Sequence, residues 1–107
     1  MADAAQPWAA ERLEQLAIEV QRSIDGRAPC AFFGAVAADD DDAPPLAVSD
    51  GYTVQRLCME ARVARGEFPA GFKIGCTSNA IQKQFGLGEA VRGYVWEGER
   101  HVTGDAI

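Results

Sequence analysis

The stretch that decides the fold is residues 71–78, which read GFKIGCTS. Apolar residues alternate in this stretch with Lys73, Gly75 and Thr77, and a period of two residues is typical of a β-strand. We therefore expect one apolar face against a core and one face that carries an ammonium group. Gly75 lets a ligand approach the backbone closely, and Thr77 or Ser78 is placed to cap a following helix. This combination suits an anionic ligand such as a carboxylate, and the alternative is an edge strand whose lysine lies in water.

Helical and strand patterns extend outward from this stretch in both directions. Apolar residues recur at helical spacing before it, and shorter patterns follow it. The predicted helices cover about 7–25, 49–65 and 78–85, and the predicted strands cover about 71–76 and 93–97. Ser49 or Asp50 is expected to cap the second helix, and Arg62 is expected on its outer face. Together these patterns predict an α/β fold in one segment, residues 1–107.

The composition limits the class of partner. Hydrophobic residues make up 48% of the chain and charged residues 24%, which is typical of a globular protein. The net charge of −6 argues against nucleic acid and against anionic membrane surfaces, because both favour basic proteins. No apolar run approaches the roughly 18 residues that a membrane span needs. Residues 1–8 lack the basic and apolar segments of a signal peptide, so we expect a cytoplasmic protein.

Several residues of reactive or metal-binding type carry weaker signals. The three cysteines are odd in number and form no CxxC motif, so free thiols in a reducing compartment are expected. Cys76 next to a helix start is an alternative candidate for a catalytic thiol, although no histidine base lies near it in sequence. Glu97 and Glu99 with His101 are an alternative metal site, and a glycine-containing turn is the competing interpretation. The run Asp39–Asp42 lacks the spacing of a calcium loop and predicts a solvated loop.

Five short motifs occur in one order along the chain. They are DGYTVQ at residues 50–55, RG at 65–66, GFKIGCTS at 71–78, QKQFG at 82–86, and Gly93. In this order and spacing they resemble the N-terminal part of the 2-keto-4-pentenoate hydratase family, within the fumarylacetoacetate hydrolase superfamily. That family carries a D-x-Y-x-x-Q helix, an R-G connector, a G-x-K-x-G-x-T-S strand and a glutamine-rich helix that ends in glycine. The resemblance covers about residues 49–93 and less than half of a family member.

The resemblance implies both a fold and a chemistry. The fold is a helical N-terminal region with short strands, and the β-rich catalytic C-terminal domain of the family is absent from this chain. Family members depend on a divalent metal, Mg²⁺ or Mn²⁺, and add water to a 2-hydroxypenta-2,4-dienoate in aromatic meta-cleavage catabolism. Sister members decarboxylate 2-oxo-3-hexenedioate or cleave acylpyruvates. The resemblance therefore implies a metal that chelates and polarises a small 2-oxo acid.

The resemblance also assigns candidate site residues. Lys73 matches the active-site lysine of the family, which implies a catalytic role. The resemblance implies that Lys73 binds the anionic end of the substrate, or that it moves a proton during dienol-to-ketone tautomerisation. Gly75 and Thr77 match residues that shape the substrate pocket. Val91 stands where the family often has an acidic residue, and the adjacent Arg92 is a candidate for binding an anionic substrate, with a solvated arginine as the alternative.

The metal ligands of the family are not expected in this chain. In family members they are an E-x-E pair and a later acid in the C-terminal domain, and Glu97 and Glu99 come too early to be that pair. We therefore expect catalysis to need a C-terminal domain, from the same gene product or from a partner. The expected protein partner is a further copy in a homo-oligomer or a full-length relative. The alternative function is an inactive remnant or interaction module that pairs with a full-length hydratase or decarboxylase.

Overall fold

The computed structural model describes residues 8–30 and 46–106, so the predicted loop at Asp39–Asp42 lies outside the described residues. The elements are α1 (Ala10–Gly26), α2 (Val48–Ala64), β1 (Pro69–Gly75), α3 (Asn79–Gln84) and β2 (Val91–Trp96), with a 3₁₀ turn at Glu97–Glu99. The helices and the paired strands give a mixed helical and antiparallel fold. The chain divides into two compact units, and the boundary after Glu60 assigns the last turn of α2 to the second. No helix in the two described ranges is both long enough and apolar enough to cross a bilayer.

The core of the first unit forms on α1. Leu13, Leu16 and Ala17 lie on the stripe that the helical spacing predicts, and they are buried together with Trp8 and Val54. Leu16 is fully buried. A helix of this length is marginal on its own in water, so this packed apolar stripe supplies much of its stability.

The start of α2 differs from the sequence prediction. The helix begins at Val48, one residue before the earlier of the two predicted caps. Asp50 lies in the first turn, is buried, and accepts a hydrogen bond from the Ala47 N–H at 3.1 Å. Its carboxylate therefore reaches back over the helix start, as the acidic member of a capping box does. Neither Ser49 nor Asp50 is the cap residue itself, because the capping carboxylate acts from inside the helix.

The strands β1 and β2 form a two-stranded antiparallel ribbon. Its register sets Phe72 opposite Tyr94 and Lys73 opposite Gly93. Side chains alternate between the two faces of a strand, so Phe72 and Lys73 lie on opposite faces of the ribbon. The register shifts between Pro69 and Gly71, where β1 has one more residue than β2.

The apolar face of the ribbon is largely open, contrary to the sequence prediction. Phe72, Ile74 and Tyr94 share this face of the ribbon. Phe72 is nevertheless 61% exposed and Ile74 is 59% exposed. The Phe72 and Tyr94 rings lie 5.1 Å apart, and the Tyr94 and Trp96 rings lie 6.1 Å apart. Only the Trp96 end of this aromatic row is buried. Residues 61–106, to which the ribbon belongs, therefore supply no full layer over the face that was expected to lie on a core.

Candidate functional site

Glycines surround Lys73 on its face of the ribbon. Gly71 and Gly75 stand two positions away on either side, and Gly93 lies directly opposite. A β-carbon built on Gly71 meets no atom within 4 Å, and one built on Gly75 lies 3.9 Å from the nearest atom, Cγ2 of Val91. The lysine is itself exposed. An ammonium group thus stands over backbone that a flat anionic ligand could approach closely.

The junction between β1 and α3 is held by side chains. Ser78 is the N-cap of α3, because its Oγ accepts a hydrogen bond from the Ile81 N–H at 3.2 Å. Gln82 donates from Nε2 to the carbonyl of Cys76 at 2.9 Å, and Cys76 itself has a left-handed backbone conformation. Of the two predicted caps, Ser78 is correct, and Thr77 lies exposed between Cys76 and the cap. Cys30, Cys58 and Cys76 form no disulfide with one another, and Cys58 Sγ donates a hydrogen bond to the Ala17 carbonyl at 3.4 Å.

The ribbon does not bring Arg92 to the Lys73 face. Arg92 lies opposite Ile74, so it shares the face of Phe72 and Tyr94. Lys73 and Gly75 share the other face, and Thr77 follows the strand. The structure therefore groups Lys73 with Gly75, and it separates Arg92 from them within the ribbon. The functional roles of all four residues remain predictions.

A second charged cluster was missed by the sequence analysis. Arg62 was expected to face outward, but it is 8% exposed and its Cζ lies 4.1 Å from the centre of the Trp96 ring. Its Nη2 donates to Glu67 at 2.8 Å and to Glu99 at 3.0 Å, and its Nε donates to Glu67 at 3.2 Å. These hydrogen bonds raise the pKa of Arg62. We call Arg62, Glu67, Trp96 and Glu99 the arginine clamp.

A signal for the buried arginine was present in the sequence. The apolar stripe of α2 includes Val54 and Cys58, and four residues further along it reaches Arg62. A cation that continues an apolar stripe is buried only when it is paired, because charged side chains are rarely buried without a partner. The charge of Arg62 favoured an exposed position, although its place on the stripe favours burial.

The arginine clamp makes stability depend on pH. Hydrogen bonds from Arg62 and Arg65 lower the pKa of Glu67 from its ordinary 4.5. The two arginines bind the charged carboxylate of Glu67. Its contribution to the stability of the fold is therefore complete well above about pH 4.5, and it is lost as the pH falls through the lowered pKa. We expect wild type to lose more stability than Glu67→Gln between about pH 7 and about pH 3.5.

Urea unfolding at the two pH values, followed by circular dichroism, measures this difference. The matched control is Glu60→Gln, which removes the exposed ion pair with Arg56. It should change stability at neutral pH by less than about 0.5 kcal/mol. If wild type and Glu67→Gln lose the same free energy of unfolding in acid, the clamp carboxylate is not the source of the pH dependence.

The acidic residues after β2 do not fit a divalent metal. Glu99 pairs with Arg62, and Glu97 accepts hydrogen bonds from Nη1 of Arg100 at 3.0 and 3.1 Å. The Nδ1 atom of His101 lies 3.9 Å from Oδ2 of Asp105. Within residues 8–30 and 46–106, no three histidine, cysteine or acidic side chains are grouped as a metal site requires. The alternative metal site at Glu97, Glu99 and His101 is therefore not formed.

Two curated proteins are similar to this chain in sequence. The 2-hydroxypent-2,4-dienoate hydratase of Pseudomonas putida is 34% identical over 62 residues, which are 58% of this chain and 28% of that protein. The 2-keto-4-pentenoate hydratase of Paraburkholderia phymatum is 31% identical over 78 residues, which are 73% of this chain and 28% of that protein. No protein-family model matches the chain.

Solved structures show the same fold. The 4-oxalocrotonate decarboxylase from Pseudomonas putida G7, complexed with magnesium and adipate, matches with a TM-score of 0.71 at 23% identity. The match covers 88% of this chain and 34% of the decarboxylase. The same enzyme complexed with calcium and acetate matches with a TM-score of 0.72. At this identity the likeness concerns the fold.

These comparisons confirm the resemblance drawn from the motifs. The chain resembles part of the 2-keto-4-pentenoate hydratase family, within the fumarylacetoacetate hydrolase superfamily, and both curated relatives bear the names of hydratases. It spans about 28% of the length of the curated relatives and 34% of the solved one.

Proposed function

We propose, from this relationship to 2-keto-4-pentenoate hydratases, that the chain contributes Lys73 to a lyase of aromatic meta-cleavage catabolism in the cytoplasm. The reaction is the addition of water to a 2-hydroxypenta-2,4-dienoate, which gives a 4-hydroxy-2-oxo acid. The relatives support this choice, because both curated proteins are named as hydratases of such acids. The solved relative is named as a decarboxylase, so loss of carbon dioxide from a related oxo acid is the competing reaction.

The observation that carries the proposal is the set of glycines around Lys73. Gly71, Gly75 and Gly93 leave the backbone bare on three sides of the lysine, so a planar oxo acid can lie against the ribbon. The ammonium group then pairs with the substrate carboxylate, or it moves the proton that converts the dienol into the ketone. Thr77, which follows the strand, offers a hydroxyl to the same ligand. Arg92 binds an anionic substrate only if the ligand extends past the ribbon edge, because it lies on the other face.

A divalent metal supplies Lewis-acid polarisation of the oxo acid in this proposal. The decarboxylase of similar fold was solved in complex with magnesium and adipate and in complex with calcium and acetate. The described residues do not fit such an ion, since no three of their histidine, cysteine or acidic side chains are grouped together and Glu97 and Glu99 pair with arginines. We therefore propose that the ligands come from polypeptide other than residues 8–30 and 46–106, and we assign no step to the metal here.

The test is an activity assay on the endogenous gene product, after its intact mass has been measured. The enzyme is incubated with 2-hydroxypenta-2,4-dienoate and Mg²⁺ or Mn²⁺, and chromatography with mass detection follows the 4-hydroxy-2-oxo acid. Parallel reactions with 2-oxo-3-hexenedioate follow carbon dioxide. We expect metal-dependent hydration. Product from the second substrate alone would replace hydration by decarboxylation, and no turnover of either substrate would contradict the lyase proposal.

The second candidate function is an interaction module without activity. The exposed side chains of Phe72 and Ile74 favour it, because contiguous exposed apolar residues mark surfaces that bind other proteins. The occupant is then a further copy of the chain or a full-length hydratase or decarboxylase relative. Light scattering of the chain alone and mixed with a purified full-length relative distinguishes these states. A monomer that remains separate in the mixture argues against the module.

The substitution Gly75→Ala tests whether the substrate binds beside Lys73 without disturbing the fold. The added β-carbon would lie 3.9 Å from Val91, which is an ordinary contact, so the ribbon should accept it. We expect unfolding free energy to change by less than about 1 kcal/mol and kcat/KM to fall about tenfold, because the methyl group occupies the approach to the lysine. Gly51→Ala, at a helical glycine with open space around it, is the control. Full activity in Gly75→Ala would show that the substrate does not approach this backbone.

A further inference from the structure

The arginine clamp closes the open end of the ribbon. β1 and β2 are joined at one end through α3, and at the other end the chain enters β1 and leaves β2. Glu67 precedes β1 and Glu99 follows β2, and one guanidinium nitrogen of Arg62 donates to both. Residues that are 37 positions apart in sequence, Arg62 and Glu99, are thereby held together. The clamp connects the two strand ends through a third element, the last turn of α2.

The same guanidinium covers the last side chain of β2. Arg62 stacks over Trp96, which is 6% exposed, and the aromatic row continues from Trp96 to Tyr94 and Phe72. The Glu97 N–H donates to the Phe68 carbonyl at 2.9 Å and extends the pairing of the strands beyond their formal ends. The clamp therefore acts on backbone pairing and on side-chain packing at one place.

The ribbon needs such an anchor because its register is not uniform. Ala70 is the additional residue between the Pro69–Trp96 pair and the Gly71–Val95 pair. If the outer pairing continued inward without this bulge, Lys73 would lie opposite Arg92 rather than opposite Gly93. An isolated two-stranded ribbon is only marginally stable in water, and a shift of one residue moves every side chain of a strand to the other face.

We propose that Arg62 is a positioning residue for Lys73. By holding the open end of the ribbon, the arginine clamp keeps β1 and β2 paired in the bulged register, and so it keeps Lys73 opposite Gly93 among the glycines. The importance of that placement for turnover rests on the proposed lyase function. The placement itself does not, because it concerns only the pairing of the two strands.

The test compares three variants by nuclear magnetic resonance of the full chain. Arg62→Met keeps an apolar stem over Trp96 but removes the guanidinium, and Arg62→Lys keeps the charge without the planar fork. Arg56→Met removes an exposed ion pair from the same helix and is the matched control. The readouts are the cross-strand nuclear Overhauser contacts of Lys73 with Gly93 and the amide hydrogen exchange rates of β1, β2 and α1.

In Arg62→Met we expect the contact between Lys73 and Gly93 to be lost or replaced by one with Arg92. The ribbon amides should exchange about tenfold faster or more, relative to those of α1. Arg62→Lys should restore part of the protection, and Arg56→Met should match wild type. If exchange rises equally in α1 and the ribbon while the contact with Gly93 persists, Arg62 serves general stability and the proposal is wrong.

A milder variant covers the case in which Arg62→Met does not fold. Glu99→Gln removes one arm of the clamp at a side chain that is 56% exposed, so the chain should still fold. It should raise ribbon exchange in the same pattern by a smaller factor, and unchanged ribbon exchange would overturn the proposal. In the lyase assay, Arg62→Lys should lower kcat less than Arg62→Met, whose loss should be roughly 10²-fold, with a smaller change in KM. If Lys73 proves unnecessary for turnover, the lyase proposal fails while the resonance experiment still decides the role of Arg62.

Discussion

For the proposed hydration reaction, replacing Lys73 with methionine should lower kcat by about 10²–10⁴-fold and leave the fold unchanged. Methionine retains an unbranched apolar side chain and removes only the ammonium group. Lys73 is exposed at the middle of β1, so its replacement breaks no buried contact, and the free energy of unfolding should change by less than about 0.5 kcal/mol. Steady-state kinetics with saturating Mg²⁺, together with urea unfolding, measures both quantities on the same preparation.

The control for this experiment is the other lysine of the described ranges. Lys83 lies exposed on α3, and Lys83→Met removes the same charge without touching the glycine-lined face. We expect it to keep wild-type kcat and KM. An equal loss of activity in both variants would mean that net charge, and not the Lys73 position, matters. Full activity in Lys73→Met would remove the residue from the catalytic machinery.

The largest effect on stability is expected for Leu16→Ala. Leu16 is fully buried, at 0% exposure, in the cluster that α1 forms with Trp8 and Val54. Truncation removes transfer free energy and leaves a cavity, which together cost about 2–5 kcal/mol. The total stability of a domain this small is of order 5 kcal/mol, so the variant should lose a large fraction of it.

A neighbouring isoleucine provides the control for Leu16→Ala. Ile18 lies two residues further along the same helix and is 52% exposed, so Ile18→Ala should cost less than about 1 kcal/mol. Thermal and urea unfolding followed by circular dichroism measures both variants. A loss of less than about 1 kcal/mol for Leu16→Ala would show that the first unit does not depend on this cluster for its stability.

Local patterns predicted the elements of this fold well. The helices and strands begin and end within three residues of the ranges drawn from periodicity. This succeeds because the apolar stripe of α1 and the alternation around Lys73 are properties of neighbouring residues. The cap at Ser78 was predictable for the same reason, since its bond to Ile81 spans three residues. The motifs around Lys73 also pointed to the family that the comparisons support.

Features that depend on distant residues were not predictable in the same way. The partners of Arg62 are fixed by where β1 begins and β2 ends, and Glu99 lies far from it in sequence. Alternation showed that Phe72 and Ile74 share a face, but it could not show whether another layer covers that face. The face of the ribbon on which Arg92 lies depends on the bulge at Ala70, and no local residue pattern predicted that bulge. Register and burial are therefore the parts of the candidate site that required the structure.

The open apolar side chains have a practical consequence for work with this protein. Phe72 and Ile74 are more than half exposed on the ribbon, as are Phe68 before it and Phe85 after α3. Reporter dyes that fluoresce on contact with apolar surface detect partly folded states through groups of this kind. The native chain should bind such dyes, so a dye signal cannot serve as its mark of misfolding. Molecular chaperones that bind exposed aromatic side chains would meet the same surface on the folded molecule.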